Sequence, residues 1–265
     1  MKSSEWESLN EDTRQHWEIN AAFWDNRMGS EGNRTARLLV FPTAEKLLAL
    51  QGGEHILEIA CGNGTFARRL AVQGFTVTAT DYSQAFIELA RGYPFENINY
   101  QIVDATQPEQ LLALGESRFE AAVCNMAFMD MAAIEPLLET LPRLLKPHAR
   151  FVFTIMHPCF NSVDMVRRID EHDRDGAIVL DYSVQISHYQ TPRTWLGTGI
   201  NGQPEPHRYF HRPIQSLLAA CFQAGWVVDG WEEGSYPGPE NPDDVFDWTN
   251  FSEIPFLLGV RLRRL

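Results

Sequence analysis

Between Ile56 and Val103 short apolar runs take turns with stretches of helical period, and no other feature constrains the fold as strongly. HILEIA reads as a strand, TFARRLAVQG as a helix closed by Gly74, FTVTAT as a second strand, Ser83 to Gly92 as a second helix, and INYQIVDA as a third strand. Strands linked through helices pair in parallel by right-handed crossovers, so helices cover both faces and a doubly wound sheet results. The rhythm continues with FEAAVCNM (119–126), a helix over AIEPLLETLPRLL stopped at Lys146-Pro147, and ARFVFTIMHP (149–158). After an interruption come the helix PIQSLLAACFQAG, the strand WVVDGWEE, a loop containing PGPENP, and the strand FLLGVRLRRL. In that last run Val260 and Leu262 alternate with Arg261 and Arg263, which suits an antiparallel strand.

Two regions lie outside this rhythm. Residues 12 to 49 look helical, with Trp17, Ala21, Trp24 and Met28 on one stripe that either packs on the core or serves as a lid from which Trp24 or Asp25 reaches a ligand. Residues 160 to 212 mix charge, glycine, proline and aromatics, and are expected to form a substrate-cap insertion. At 265 residues the chain is expected to be a single domain over 1–265, with the lid at 1–50.

Charge narrows the partners. With 35 acidic against 22 basic side chains the net charge is −13, which repels phosphate backbones and anionic membranes, so nucleic acid and membrane surfaces are excluded as expected partners. The four cysteines, Cys61, Cys124, Cys159 and Cys221, form no CxxC pair, so neither a zinc site nor a disulfide framework is expected. The opening MKSSEWESLNEDTRQHW is acidic where a secretory leader is basic and then apolar, which sets the expectation of a soluble cytoplasmic protein.

The chemistry centres on the turn after the first strand. Gly62 and Gly64 allow a tight turn and close approach of a ligand to backbone, and GNGTFA also satisfies the dinucleotide pattern G-x-G-x-x-A. Asp81, near the end of the second strand, would bind a ribose in either reading. Glu58 separates them. A carboxylate inside an apolar strand must meet a positive or hydrogen-bonding partner, such as a cationic ligand or nearby backbone amides, and it would repel a pyrophosphate.

LEIACGNG followed by TATDYS resembles the first and second motifs of class I S-adenosylmethionine-dependent methyltransferases, and the likeness extends over about residues 20 to 265. The resemblance implies a Rossmann-like three-layer αβα sandwich with a seven-stranded sheet, order 3-2-1-4-5-7-6 and strand seven antiparallel. It implies S-adenosylmethionine as cofactor, S-adenosylhomocysteine as product and a small-molecule acceptor. Carried over by position, it implies that Glu58, Gly62 and Gly64 surround the methionine part, Asp81 the ribose, and Tyr82 and Ser83 the adenine. Asp104 and Ala105 would face the adenine edge, while Asn125 and Met126 line the opening towards the methyl group.

Methyl transfer needs a positioned nucleophile, and a general base only when the acceptor loses a proton. The candidate bases are His157 at the end of the fifth strand and His207 and His211 in PHRYFHRP, although each of these, like Arg212, also suits a role tying loops to the sheet. Trp195, Tyr189 and Tyr209 either wall an acceptor pocket or form the insertion's own core. Two rival functions remain at this point: an NAD-dependent oxidoreductase, and a module that binds the cofactor without catalysis. No metal is called for by these residues.

Overall fold

The computed structural model describes residues 3–238 and 244–264; positions 239–242 of the PGPENP loop fall outside them. Two helices, α1 (Ser3–Met28) and α2 (Phe41–Leu48), precede β1 (His55–Ile59). Strands and helices then alternate in the predicted order, α3 (Thr65–Val72), β2 (Thr76–Asp81), α4 (Gln84–Arg91), β3 (Ile98–Ile102), β4 (Phe119–Asn125), α6 (Glu135–Leu144) and β5 (Leu145–Met156), with one short helix that was not predicted, α5 (Pro108–Leu112), between β3 and β4. The insertion forms two hairpins, β6 (Val166–Arg174) with β7 (Ala177–Gln185) and β8 (Arg193–Gly197) with β9 (His207–His211). The helix α7 (Ile214–Gln223) and the strands β10 (Val227–Gly234) and β11 (Leu257–Arg263) follow.

The main sheet has seven strands in the order β10-β11-β5-β4-β1-β2-β3, which is the expected order once the last two strands take their places in the chain. β1 lies between β2 and β4, parallel to both, and its apolar side chains are buried on the two faces, as a strand between two helical layers requires. Leu57 and Ile59 join Leu138, Phe128, Phe151 and Phe153 in one layer, whereas Ile56 joins Leu48, Phe66 and Val77 in the other. Alternation along the strand places Glu58 on the side of Ile56. β11 runs antiparallel to both β5 and β10, and Arg261 Nε donates to Asp229 at 2.8 Å while Val260 and Leu262 are fully buried.

The amino-terminal region differs from expectation in its boundaries. α1 begins at Ser3 rather than near Asp12, and the helical run breaks after Met28, where Gly29 at φ 60° turns the chain before a short π-helical segment, Ala36–Val40, leads into α2. The stripe itself is present: the Trp17 and Trp24 rings lie 5.4 Å apart and Ala21 is buried. Polar ties hold α1 across the carboxyl ends of β1 to β3. Asn10 Nδ2 donates to Asp104 at 2.9 Å, Asn63 Nδ2 to Asp25 at 2.9 Å, and Glu18 accepts from the Ser83 hydroxyl at 2.6 Å and from the Ala85 N–H at 2.9 Å.

Candidate active site

The two motif loops meet at Asp81. Its Oδ2 accepts the Gly62 N–H and its Oδ1 the Ser83 N–H, both at 2.9 Å, so the carboxylate at the end of β2 locks the turn after β1 to the start of α4. The carboxylate keeps lone-pair capacity for a ligand hydroxyl. Gly62 and Gly64 sit at φ 54° and 73°, in the left-handed region, and a side chain at Gly64 would overlap the Tyr100 hydroxyl. Burial pushes the Asp81 carboxyl up to about 6 against the pull of those two N–H groups.

Glu58 lies beneath this turn with 2% of its surface exposed. The Ala67 N–H and the nearby Arg68 guanidinium favour its ionised form, but burial outweighs them and lifts its pKa to about 8. Its Oε2 has no hydrogen-bond partner. Both alternatives weighed from the sequence are therefore present: an amide contact on the protein side, and an unsatisfied oxygen in the wall of a cavity.

That cavity, about 340 Å³, opens at the carboxyl edge of the sheet beneath α1. Glu58, Gly62, Asp81 and Tyr82 line it, as do Asp104, Ala105, Asn125, Met126 and Trp24. Gly64 and Ser83 do not. Gly64 packs under the turn, and the Ser83 hydroxyl caps α4 by accepting the Phe86 N–H at 3.2 Å while donating to Glu18. Asp104 also has structural work, since its Oδ1 takes both the N–H and the hydroxyl of Thr106, at 2.8 and 2.7 Å. Asn125 accepts the Thr154 hydroxyl at 3.0 Å and leaves its buried Nδ2 without a partner.

The three histidines separate. His157 is off the cavity wall: its Nε2 meets Glu233 at 2.9 Å, its Nδ1 accepts the Cys159 N–H at 3.2 Å, and burial lowers its pKa. His211 is likewise off the wall, hydrogen-bonded through Nε2 to the Tyr189 carbonyl at 2.7 Å. Both hold loops to the sheet. His207 lines the cavity, 4.3 Å from the Trp17 ring, and burial drives its pKa down to about 4. Tyr209 also lines the cavity, with Trp195 stacked behind it at 5.1 Å, whereas the Tyr189 hydroxyl accepts the Ile214 N–H. Of the insertion, Gly199, Ile200, His207 and Tyr209 reach the wall; β6 and β7 do not.

Sequence reasoning missed Asp130. It follows β4 in the run Ala127–Ala133, an isolated acid among apolar residues, which is the same signal that singled out Glu58. Its side chain lines the cavity, Oδ1 has no hydrogen-bond partner, and desolvation raises its pKa well above the carboxylate range. Met28, Met126, Met129, Met131 and Met156 line the same space and give it an apolar, adaptable wall.

With this geometry in hand, comparison with known proteins is direct. Residues 56–148 match the family model of a methyltransferase domain. A demethylmenaquinone methyltransferase of Tropheryma whipplei is 27% identical over 226 residues, covering 80% of this chain and 85% of that protein. A ubiquinone biosynthesis O-methyltransferase of Coxiella burnetii is 26% identical over 113 residues, 42% of this chain, and the matched part spans 47% of the relative's length. An S-adenosylmethionine-dependent methyltransferase structure from Mesorhizobium loti superposes with a TM-score of 0.64 at 23% identity, covering 84% of this chain and 96% of that one. Residues 56–148 therefore carry a methyltransferase domain, and the chain shares the fold of solved S-adenosylmethionine-dependent methyltransferases.

The residues present fit S-adenosylmethionine. An unsatisfied buried carboxylate oxygen on Glu58 suits a cationic ligand, the left-handed Gly62 bares backbone, and Asp81 presents free lone pairs. The NAD reading loses ground on the same observation, because a pyrophosphate placed at this turn offers Glu58 Oε2 no positive partner.

Proposed function

We propose that the chain transfers the methyl group of S-adenosylmethionine to a small-molecule acceptor. The single observation that carries this reading is the joining of Glu58, Gly62 and Asp81 in one cavity wall with Glu58 Oε2 unsatisfied. Glu58, Gly62 and the start of α3 would hold the methionine part, Asp81 the ribose hydroxyls, Tyr82 the adenine face, and Asp104 with Ala105 its edge. Gly64 and Ser83 would act indirectly, by shaping the turn and capping α4. When bound, the cofactor supplies an electrophilic methyl group on a positively charged sulfur.

The protein's own contribution is placement and exclusion of water. α1, through Trp17 and Trp24, and β9, through His207 and Tyr209, close over the wall that Asn125 and Met126 form at the end of β4. Holding two reactants in line supplies up to ~7–11 kcal/mol of the barrier reduction. The relatives named for menaquinone and ubiquinone pathways support a small apolar acceptor, as does the methionine-rich wall.

Calorimetric titration with S-adenosylhomocysteine tests the cofactor half of the reading. The wild type should bind, and Asp81→Ala should weaken binding at least tenfold through loss of the ribose contacts and the Gly62 anchor. Equal affinity in the two proteins removes the ribose assignment, and absence of binding to the wild type removes the reading as a whole.

A further inference from the structure

A chain of four side chains crosses the acceptor side of the cavity, and its hydrogen bonds determine where the protons sit. The Trp24 indole can only donate, and its Nε1 lies 3.1 Å from Gln203 Oε1, which fixes that atom as the amide oxygen. The other end of the same amide, Nε2, therefore carries the hydrogens; it donates to the Glu205 carbonyl and lies 2.9 Å from His207 Nδ1. Nδ1 must then accept, so the neutral imidazole carries its proton on Nε2. That nitrogen points at Asp130 Oδ1, 3.8 Å away. At this separation the two do not bond each other, yet one oxygen atom beside them reaches both.

This arrangement reverses the role that residue type suggests. With its proton already on the cavity side and its pKa near 4, His207 offers a donor where a base is wanted. Asp130 is the polar group with an open acceptor site. We propose that Asp130 is the catalytic residue that meets the methyl acceptor: its Oδ1 takes the proton of an acceptor hydroxyl, while His207 positions that oxygen by donating to it from Nε2. The inference rests on the methyltransferase reading above and adds its acceptor class, a weakly acidic hydroxyl on an apolar, ring-sized molecule.

The chemistry of the groups selects a hydroxyl. A carboxylate facing an ammonium group would hold it protonated and without a nucleophilic lone pair, and a neutral amine needs no base before it attacks. A hydroxyl matches both partners, as donor to Asp130 and acceptor from His207. In the transfer the acceptor O–H bond breaks and its proton passes to Asp130 Oδ1. The oxygen's electron pair forms the bond to the methyl carbon, and the electrons of the former sulfur–methyl bond stay on sulfur. Methylated acceptor, S-adenosylhomocysteine and a protonated Asp130 result.

The surroundings suit a buried base. Tyr82 from the β2–α4 turn, Cys124 from β4, and His207 and Tyr209 from β9 face Asp130, and His16 of α1 stands behind His207. Arg212, a cation close to this segment, is spent on the carbonyls of Phe128, Met131 and Ala132. Among the described residues no cation holds Asp130 ionised, so once it has lost its own proton it is a strong base towards an acceptor hydroxyl.

The test uses labelled S-adenosylmethionine, a panel of phenols and catechols beside a panel of aryl amines, and histidine-¹⁵N NMR of the unliganded protein. Label should pass to phenolic oxygen. Asp130→Asn should lower that turnover about 100-fold and abolish its rise with pH, with S-adenosylhomocysteine affinity kept within twofold. His207→Gln should reduce turnover and keep the rise. The NMR spectrum should report a neutral Nε2–H imidazole for His207. Transfer to amines alone, no transfer to any hydroxyl, an Asp130→Asn enzyme with the wild-type pH profile, or a His207 protonated on Nδ1 overturns the proposal. If S-adenosylhomocysteine still binds in those cases, the cofactor reading stands and only the acceptor assignment falls.

Discussion

Two isolated acids, Glu58 and Asp130, show how a residue can carry function by being out of place. Glu58 was legible because the run around it is continuously apolar, as a strand buried on both faces must be, so its burial could be inferred from its neighbours. Asp130 sits in a 3₁₀ turn, Phe128–Asp130, where no period says which way a side chain points, and the sequence therefore left it in a loop. Glu58 also leaves a signature on stability. Burial lifts it from an ordinary 4.5 to about 8, so the fold favours its protonated form. The associated stabilisation is complete below pH 4.5 and is lost as pH climbs through 8. Glu58→Gln keeps the shape and removes the titration. Its Tm relative to the wild type should rise by roughly 7–14 °C between pH 5 and pH 8 in the unliganded protein. A constant difference over that range would show that Arg68 and the Ala67 amide keep Glu58 ionised.

At the scale of elements, the parallel strands were readable because each is buried on two faces and must be a continuous apolar run between helices of a different period. The hairpins of the insertion were not. β6 and β7 expose most of their residues, and their mixed composition shows no core face. One signal was available: Asp175 and Gly176, at φ 55° and 78°, form the two-residue turn between them, a pairing that marks hairpins. The second hairpin matters more for the site, since β9 delivers His207 and Tyr209 and leads into Arg212. That guanidinium, buried yet with a pKa of about 10, donates to the carbonyls of Phe128, Met131 and Ala132 at 3.0, 2.7 and 2.9 Å and so holds the turn that presents Asp130. Arg212→Ala leaves three carbonyls unsatisfied and should cost about 3 kcal/mol, seen as a Tm lower by roughly 6–12 °C. Turnover should fall further than stability explains, while S-adenosylhomocysteine, held from the β1 and β2 side, still binds. Wild-type stability in this variant would mean that water replaces the guanidinium at low cost.

For the whole molecule, the cofactor half of the cavity was legible as a pair of motifs because both loops leave neighbouring strands at the same sheet edge, a consequence of topology that spacing alone conveys. The acceptor half draws on α1, the β4–α6 segment and the insertion, three segments far apart in the chain with no shared period, so the fold had to bring them together before they could be read. The same global view separates the two ligand classes. A chain of net charge −13 disfavours a dinucleotide's pyrophosphate at long range, and Glu58 at the turn gives it no positive partner at contact. A ligand that binds only the folded state stabilises it by ~2.7 kcal/mol at a hundred times its Kd, which for a chain of this size raises Tm by roughly 5–10 °C. S-adenosylhomocysteine at that excess should produce this rise, Asp81→Ala should lose most of it at the same ligand concentration, and NAD at equal concentration should leave Tm unchanged. Stabilisation by NAD and none by S-adenosylhomocysteine would assign the glycine turn to a dinucleotide after all.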